Sequence, residues 1–154
     1  LAVLMVFLAE VTLLPALVLI VMQIMVSGTF AFIRANLFVI PAVILASLLR
    51  VVVSAFAMLA LSSLSKSSRY VAVLYVGAVL FTEAVYGFLA AVTGSSRVAW
   101  VSISRNLEQV TDVIFRQTPR YETPTMVSAL VLAGLVVVSI SVLERRVRGV
   151  EVVK

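Results

Sequence analysis

Four long apolar stretches alternate with short polar breaks along the chain. They cover roughly residues 1–26, 41–64, 70–92 and 125–143. An α-helix needs about 20 consecutive, mostly apolar residues to cross the hydrocarbon core of a bilayer. The pattern therefore predicts an all-α fold, an integral membrane helical bundle with four transmembrane helices.

The breaks between the spans carry turn and surface signals. Residues 27–29 (Ser-Gly-Thr) end the first span, and residues 30–37 mix aromatic with polar side chains, as in a turn of helix lying on the bilayer surface. Residues 62–69 form a serine-rich, basic hinge between the second and third spans. The hinge is short enough for these two spans to lie side by side and antiparallel.

The one long polar stretch, residues 93–124, contains a helical pattern. Its apolar residues recur at steps of four, three and four, which is one stripe of an α-helix: Ile103, Leu107, Val110 and Ile114. Charged residues occupy the other faces, and Trp100 and Tyr121 would anchor the helix at the bilayer surface. This amphipathic, extracytoplasmic helix could lie in the interface or dip back between the spans, and an ordinary surface helix that tethers two spans fits the pattern equally well.

Composition supports a membrane protein. The chain is 63% hydrophobic and 12% charged, with a mean hydropathy of +1.21, whereas soluble domains average about 45–50% apolar and 25% charged residues. Its 154 residues leave room for one transmembrane domain, residues 1–154, and no separate soluble one. Because the chain starts at Leu1 and enters apolar sequence at once, we expect it to be the C-terminal part of a longer protein.

The net charge of +5 reflects basic residues at the ends of the spans, where they meet lipid headgroups, and does not indicate a nucleic-acid surface. One set would lie on a single side of the membrane: Lys66, Arg69, Arg145, Arg146 and Arg148. The basic residues of the long polar stretch are diluted by acidic ones. The positive-inside rule then predicts a multi-pass protein of the cytoplasmic membrane with its C-terminus in the cytoplasm.

Three ionisable residues, Glu10, Arg50 and Glu83, fall inside apolar spans. Each costs about 2.5–3.5 kcal/mol on insertion scales and should find a partner in the protein interior. Arg50 precedes Leu64 by fourteen residues and Glu83 follows Arg69 by fourteen, which places both about 21 Å from the cytoplasmic edge. We therefore expect an Arg50–Glu83 ion pair, with Glu10 as an alternative partner of Arg50 or part of a polar path.

The chain lacks the residues that several kinds of chemistry require. Cysteine and histidine are both absent, which removes disulfides, Cys/His zinc sites and histidine-based catalysis. No P-loop motif and no Gly-x-Ser-x-Gly elbow occurs. We expect no enzymatic activity, no metal and no cofactor in this chain.

Three places in the sequence carry a resemblance to a known family. They are the Leu-Ser-Ser-Leu hinge with its basic turn (residues 60–70), the amphipathic helix between the last two spans (residues 100–115) and the basic ending (residues 143–154). In these places the chain resembles the C-terminal part of a permease subunit of the type-2 ABC transporter family. The resemblance covers essentially the whole chain, although these motifs are looser than a catalytic signature.

The resemblance implies a six-span subunit, of which these would be the last four spans. It also implies a second permease subunit, in a homo- or heterodimer, and a separate ABC ATPase subunit. The helix at residues 102–116 would be the outer gate of a translocation path that works by alternating access, with Trp100, Ile103, Leu107 and Ile114 at the gate. An exporter is expected. A non-transporting membrane scaffold or assembly protein is the alternative, and a passive pore would need a continuous polar stripe that the spans do not show.

Overall fold

The protein is mainly helical in the part that the computed structural model describes, residues 2–27, 37–65 and 67–151. It contains five α-helices and one 3₁₀ helix, and no strand in these ranges: α1 (Ala2–Ser27), α2 (Val39–Leu64), α3 (Ser68–Thr93), the 3₁₀ helix (Ser96–Val101), α4 (Ile103–Ile114) and α5 (Thr125–Glu151). The expected all-α fold is confirmed. The surface turn expected at residues 30–37 lies almost wholly outside the described residues.

Four of these helices are long and apolar enough to cross a membrane. The candidate spans are Met5–Met22, Val39–Leu64, Tyr70–Thr93 and Thr125–Arg145. This agrees with the four spans read from the sequence and makes the chain a multi-pass membrane protein by length and composition. The largest difference in bounds is at α5, which continues to Glu151, eight residues beyond the expected end of the span.

The central helix is α2, which packs against α1, α3, α4 and α5. Its buried residues are all small: Ala42, Val51, Val53, Ala55 and Ala60. Small side chains let helix backbones approach closely, which is how helices gain packing energy in a solvent as apolar as their own surfaces. The hydroxyl of Tyr75 on α3 donates to the Ser54 Oγ on α2 at 2.9 Å and sets the register of these two helices.

The outer faces of α1 and α3 expose large apolar side chains. Phe81 and Phe88 on α3 are each 69% exposed, and Val3 and Phe7 on α1 are similarly uncovered. Such a surface would be costly in water but is solvated by acyl chains in a bilayer. Among the described elements, α1 packs only against α2.

Candidate functional site

The chain reverses direction at the end of α3. Gly94 has φ +63° and its N–H donates to the Ala90 carbonyl at 2.8 Å, an ending that favours glycine because the left-handed region is strained for other residues. The 3₁₀ helix then packs back against α3. The Ser95 hydroxyl caps the 3₁₀ helix by accepting from the Arg97 N–H at 3.2 Å.

The start of α4 lies well inside the end of α3. Ser102 caps α4 by accepting from the Arg105 N–H at 3.3 Å, and its hydroxyl donates to Glu83 Oε2 at 2.6 Å. Glu83 is ten residues before Thr93, the last residue of α3, which is about 15 Å along the helix axis. The 3₁₀ helix therefore runs back alongside α3, and α4 begins at the level of Glu83.

From the level of Glu83, α4 runs along α2 towards the N-terminal end of α2. Val110 lines a cavity with Leu49 and Val53, near the middle of α2. Ile114 and Arg116 line another cavity with Phe38, next to the start of α2. Thus α4 packs alongside α2, α3 and α5 and not across their ends.

The C-terminal end of α4 is closed by a non-glycine residue with a positive φ. Arg116 has φ +57°, and the N–H groups of Arg116 and Gln117 donate to the carbonyls of Val113 and Asp112, at 2.9 and 2.8 Å. This is a Schellman ending, where glycine is the usual residue. The Arg116 guanidinium lies 5.1 Å from the centroid of the Phe38 ring, a cation–π contact that ties the end of α4 to the start of α2.

Arg105 is the centre of a polar cluster. Its Nε donates to Glu83 Oε1 at 2.7 Å and its Nη2 donates to the same oxygen. Its Nη1 donates to the Tyr121 hydroxyl at 2.6 Å. The guanidinium also lies 4.9 Å from the ring centroid of Tyr86 and 5.4 Å from that of Tyr121. One arginine on α4 thereby joins α3 to the loop that leads into α5.

The environment of this cluster stabilises one protonation pattern. The hydrogen bond to Glu83 raises the pKa of Arg105 above its usual range, so Arg105 keeps its charge. Burial raises the pKa of Tyr121, and the hydrogen bond that its hydroxyl donates to Glu108 raises this pKa further. Tyr121 is therefore a neutral phenol that accepts from Arg105 and donates to Glu108.

The buried face of α4 is polar. Asn106, Gln109 and Asp112 are at most 3% exposed, as is Ser102 before the helix. The apolar stripe residues Ile103, Leu107, Val110 and Ile114 are only half-buried. In water, the apolar stripe of an amphipathic helix would be the face that is buried. With apolar surroundings on the outside, the polar residues turn inward, where they can be hydrogen-bonded.

Two buried polar side chains of α4 bind backbone of the segments on either side of this helix. Gln109 Nε2 donates to the carbonyls of Tyr121 and Thr123, at 3.1 and 2.7 Å, and its Oε1 accepts from the Tyr121 N–H at 3.2 Å. Asn106 Nδ2 donates to the carbonyls of Trp100 and Ser102, at 2.8 and 2.7 Å. These bonds hold loops that have no regular partners of their own.

Further contacts close the loop against the 3₁₀ helix. The carboxylate of Asp112 lies 3.4 Å from Arg120 Nε, and Thr123 Oγ1 donates to the Arg97 carbonyl at 2.9 Å. Ser95 Oγ donates to Glu122 Oε2 at 2.8 Å. We call residues 95–123, with their 3₁₀ helix, α4 and loop, the polar cap.

The structure does not bring Arg50 and Glu83 together. Glu83 faces Ser102 and Arg105, whereas Arg50 lines a cavity with Thr12 and Thr111, between α1, α2 and α4. Residue counting gave comparable depths but could not give the face of each helix. The helical pattern placed Arg105 on a face other than the apolar stripe and gave it no partner among the spans.

Glu10 does not share the Arg50 cavity either. It is exposed and lines a groove formed by α1 alone, with Leu13 and Leu17. Glu10 and Thr12 are two residues apart, about 200° around a helix. Since Thr12 faces the Arg50 cavity, Glu10 points away from it.

The structure describes the side chains of only some of the remaining predicted residues. Trp100 is 49% exposed at the end of the 3₁₀ helix. Arg145 is exposed near the end of the last candidate span. Lys66 and the side chains of Arg69, Arg146 and Arg148 lie outside the described residues, so the basic flank stays a prediction.

Sequence reasoning missed Arg105, Gln109 and Tyr121 as members of the site. One signal was present: Glu83 is a lone carboxylate in a span, and the next polar segment offers an arginine 22 residues later. In the described ranges no group of three or more metal-ligating side chains is found.

No family model, curated protein or solved structure matches this chain. The functional argument therefore stands on the polar cap and on the four candidate spans.

Proposed function

We propose that the chain is the membrane-embedded part of a permease in an ATP-driven transporter of the type-2 ABC kind, and that the polar cap is its gate on the extracytoplasmic side. It would work with a second permease subunit and with a separate ATPase subunit on the cytoplasmic side. Export is the proposed direction.

One observation carries this proposal. The segment between α3 and α5 folds back among the spans, with its polar face buried and its first residues at the depth of Glu83. A loop that only joined two spans could stay outside, where water would satisfy its backbone. Inserting a polar segment to this depth needs compensating hydrogen bonds. Side chains of the cap and Glu83 of α3 supply most of them, and among the described residues Asn106 Oδ1 has no partner.

The attachment of the cap also suits a gate. It is bound to α3 through Arg105 and Glu83, and to the start of α2 through Arg116 and Phe38. A relative movement of α2 and α3 would therefore pull on both ends of α4. Such a two-ended attachment can transmit a tilt of the spans to the outer side of a translocation path.

The test uses the full-length protein in its native membrane. Mild-detergent purification should bring an ATPase with it. Residues 1–154 contain no cysteine, and Ser95 Oγ lies 2.8 Å from Glu122 Oε2. In full-length protein with any other cysteines replaced by serine, the pair Ser95→Cys and Glu122→Cys is introduced to close the cap with a disulfide, and each single variant is a matched control. Oxidation should reduce ATP hydrolysis of the pair variant alone, and reduction should restore it.

Two results would overturn the proposal. One is purification without any ATPase. The other is an ATPase whose turnover is the same with the cap closed by a formed disulfide and with it open. A scaffold predicts the second result, since a scaffold needs the cap only to stay folded.

A further inference from the structure

A cavity of about 220 Å³ lies between α1, α2 and the end of α4. Four of its lining side chains are polar, and none of them is a carboxylate: Thr12, Ser47, Arg50 and Thr111. The rest of the lining is apolar and includes Phe115. It is open to the surroundings, and Arg50 itself is exposed.

Arg50 lies close to the middle of a span. It is eleven residues after Val39 and fourteen before Leu64, about 16 and 21 Å from the two ends of α2. An ionised side chain at this depth needs an opposite charge. In the part of the chain that the structure describes, Arg50 takes part in none of the ion pairs.

The nearby carboxylates are engaged elsewhere or face away. Glu83 is bound by Arg105, and Asp112, next to Thr111, is bound by Arg120. Glu108 accepts from Tyr121, and Glu10 is on the opposite side of α1 from Thr12. The counter-charge for Arg50 is thus not provided by these acidic side chains.

The hydroxyl groups of the cavity complete a set of donors. Thr12 Oγ1 donates to the Leu8 carbonyl at 2.8 Å and is used within α1. Among the described residues, the hydroxyls of Ser47 and Thr111 donate no hydrogen bond to the protein, so they can donate into the cavity. Two hydroxyls and a guanidinium from α2 and α4 then surround one small space.

We propose that this cavity binds a phosphate-type oxyanion, with Arg50 as its counter-ion and Ser47 and Thr111 as hydrogen-bond donors. The arginine fork matches two oxygens of a phosphate, and a tetrahedral group keeps further oxygens for donors on another helix. A planar carboxylate has only two oxygens. The volume suits a headgroup-sized anion, since drug-sized pockets begin at about 300 Å³.

The same chemistry has two sources, the phosphate of a phospholipid or a free phosphate ion. The apolar part of the lining and the opening to the surroundings suit a molecule whose acyl chains remain in the bilayer. This proposal concerns binding and stands whether or not the chain belongs to a transporter.

The test compares arginine variants of the full chain, purified free of lipid in dodecyl maltoside micelles, which contain no phosphate. One arm adds phosphatidylglycerol and a second adds inorganic phosphate, with bound lipid counted by native mass spectrometry and thermal midpoints recorded in both. Retention of phosphatidylglycerol, or a rise in midpoint with inorganic phosphate, supports the site and identifies the source. Arg50→Gln should weaken the response about tenfold or more, as expected for loss of a charge-assisted contact. Arg50→Lys should keep part of it.

Arg145→Gln is the matched control, because it removes the same charge near the end of a span and should leave the response nearly intact. Ser47→Ala and Thr111→Val test the site with Arg50 in place, and each should weaken binding several-fold even if Arg50→Gln fails to fold. The proposal is overturned if neither source binds. It is also overturned if Arg145→Gln reduces binding as much as Arg50→Gln, or if the hydroxyl variants bind like the wild type.

Discussion

The polar cap and the outer face of α3 satisfy their side chains in opposite ways. In the cap, buried Asn106, Gln109 and Asp112 each bind named partners at hydrogen-bond distance. On α3, Phe81 and Phe88 have most of their surface uncovered. The first region depends on particular atoms, whereas the second depends only on being apolar. Substitutions should therefore destabilise the protein in the cap and have little effect on the outer face of α3.

The largest effect is expected from Gln109→Leu. The change keeps a similar volume but leaves the Tyr121 N–H and the carbonyls of Tyr121 and Thr123 without their partner. Leaving buried backbone groups unsatisfied should lower the free energy of unfolding by about 3 kcal/mol. Denaturant unfolding of the purified protein in mild detergent measures it. Val113→Leu, on the exposed side of α4, is the control, and equal stability of both variants would contradict the buried polar face.

The ion pair between Arg105 of the cap and Glu83 of α3 should come next. Arg105→Gln and Glu83→Gln should each cost about 2 kcal/mol, because both side chains are partly exposed and their charge-assisted bonds are partly screened. In the double variant the two costs should not add, since the residues touch.

The contrasting pair is Arg50→Gln with Glu83→Gln. These costs should add to within about 0.5 kcal/mol, because the structure does not bring the two residues together. A strong coupling between residues 50 and 83, together with none between 83 and 105, would restore the pairing expected from residue counting.

A smaller effect concerns pH. The pKa of Tyr121 is raised in the folded protein, so its contribution to stability is complete below the ordinary value of about 10 and is lost as the pH rises through the raised value. A difference absorbance titration between wild type and Tyr121→Phe should show this phenol ionising above the ordinary tyrosine value of about 10. Glu108→Gln should lower that pKa. Ionisation of Tyr121 at or below pH 10 would argue against its burial beside Glu108.

The smallest effects on stability are expected from substitutions on the outer face of α3. Phe81→Ala and Phe88→Ala should each change the free energy of unfolding by less than about 0.5 kcal/mol, since no protein contact of note is lost. Val53→Ala, in the buried face of α2, should cost about 2 kcal/mol for a smaller loss of volume. If the phenylalanine changes cost more than Val53→Ala, a further protein surface covers α3.

The sequence by itself determined the elements of this protein. Apolar runs of span length form helices in a bilayer, because a helix bonds every backbone group within its own segment. The step of three and four residues in the polar stretch located α4, which the structure has at Ile103–Ile114. These patterns are local, so they can be read without knowing any long-range contact.

Only the tertiary structure decided which faces meet. Depth along a span follows from counting residues, and it brought Arg50 and Glu83 to comparable levels. The rotation of each helix and the descent of the polar cap depend on packing among α2, α3 and α5, which no local pattern encodes. Glu83 therefore binds Arg105 of the cap, and Arg50 faces the cavity beside Thr111.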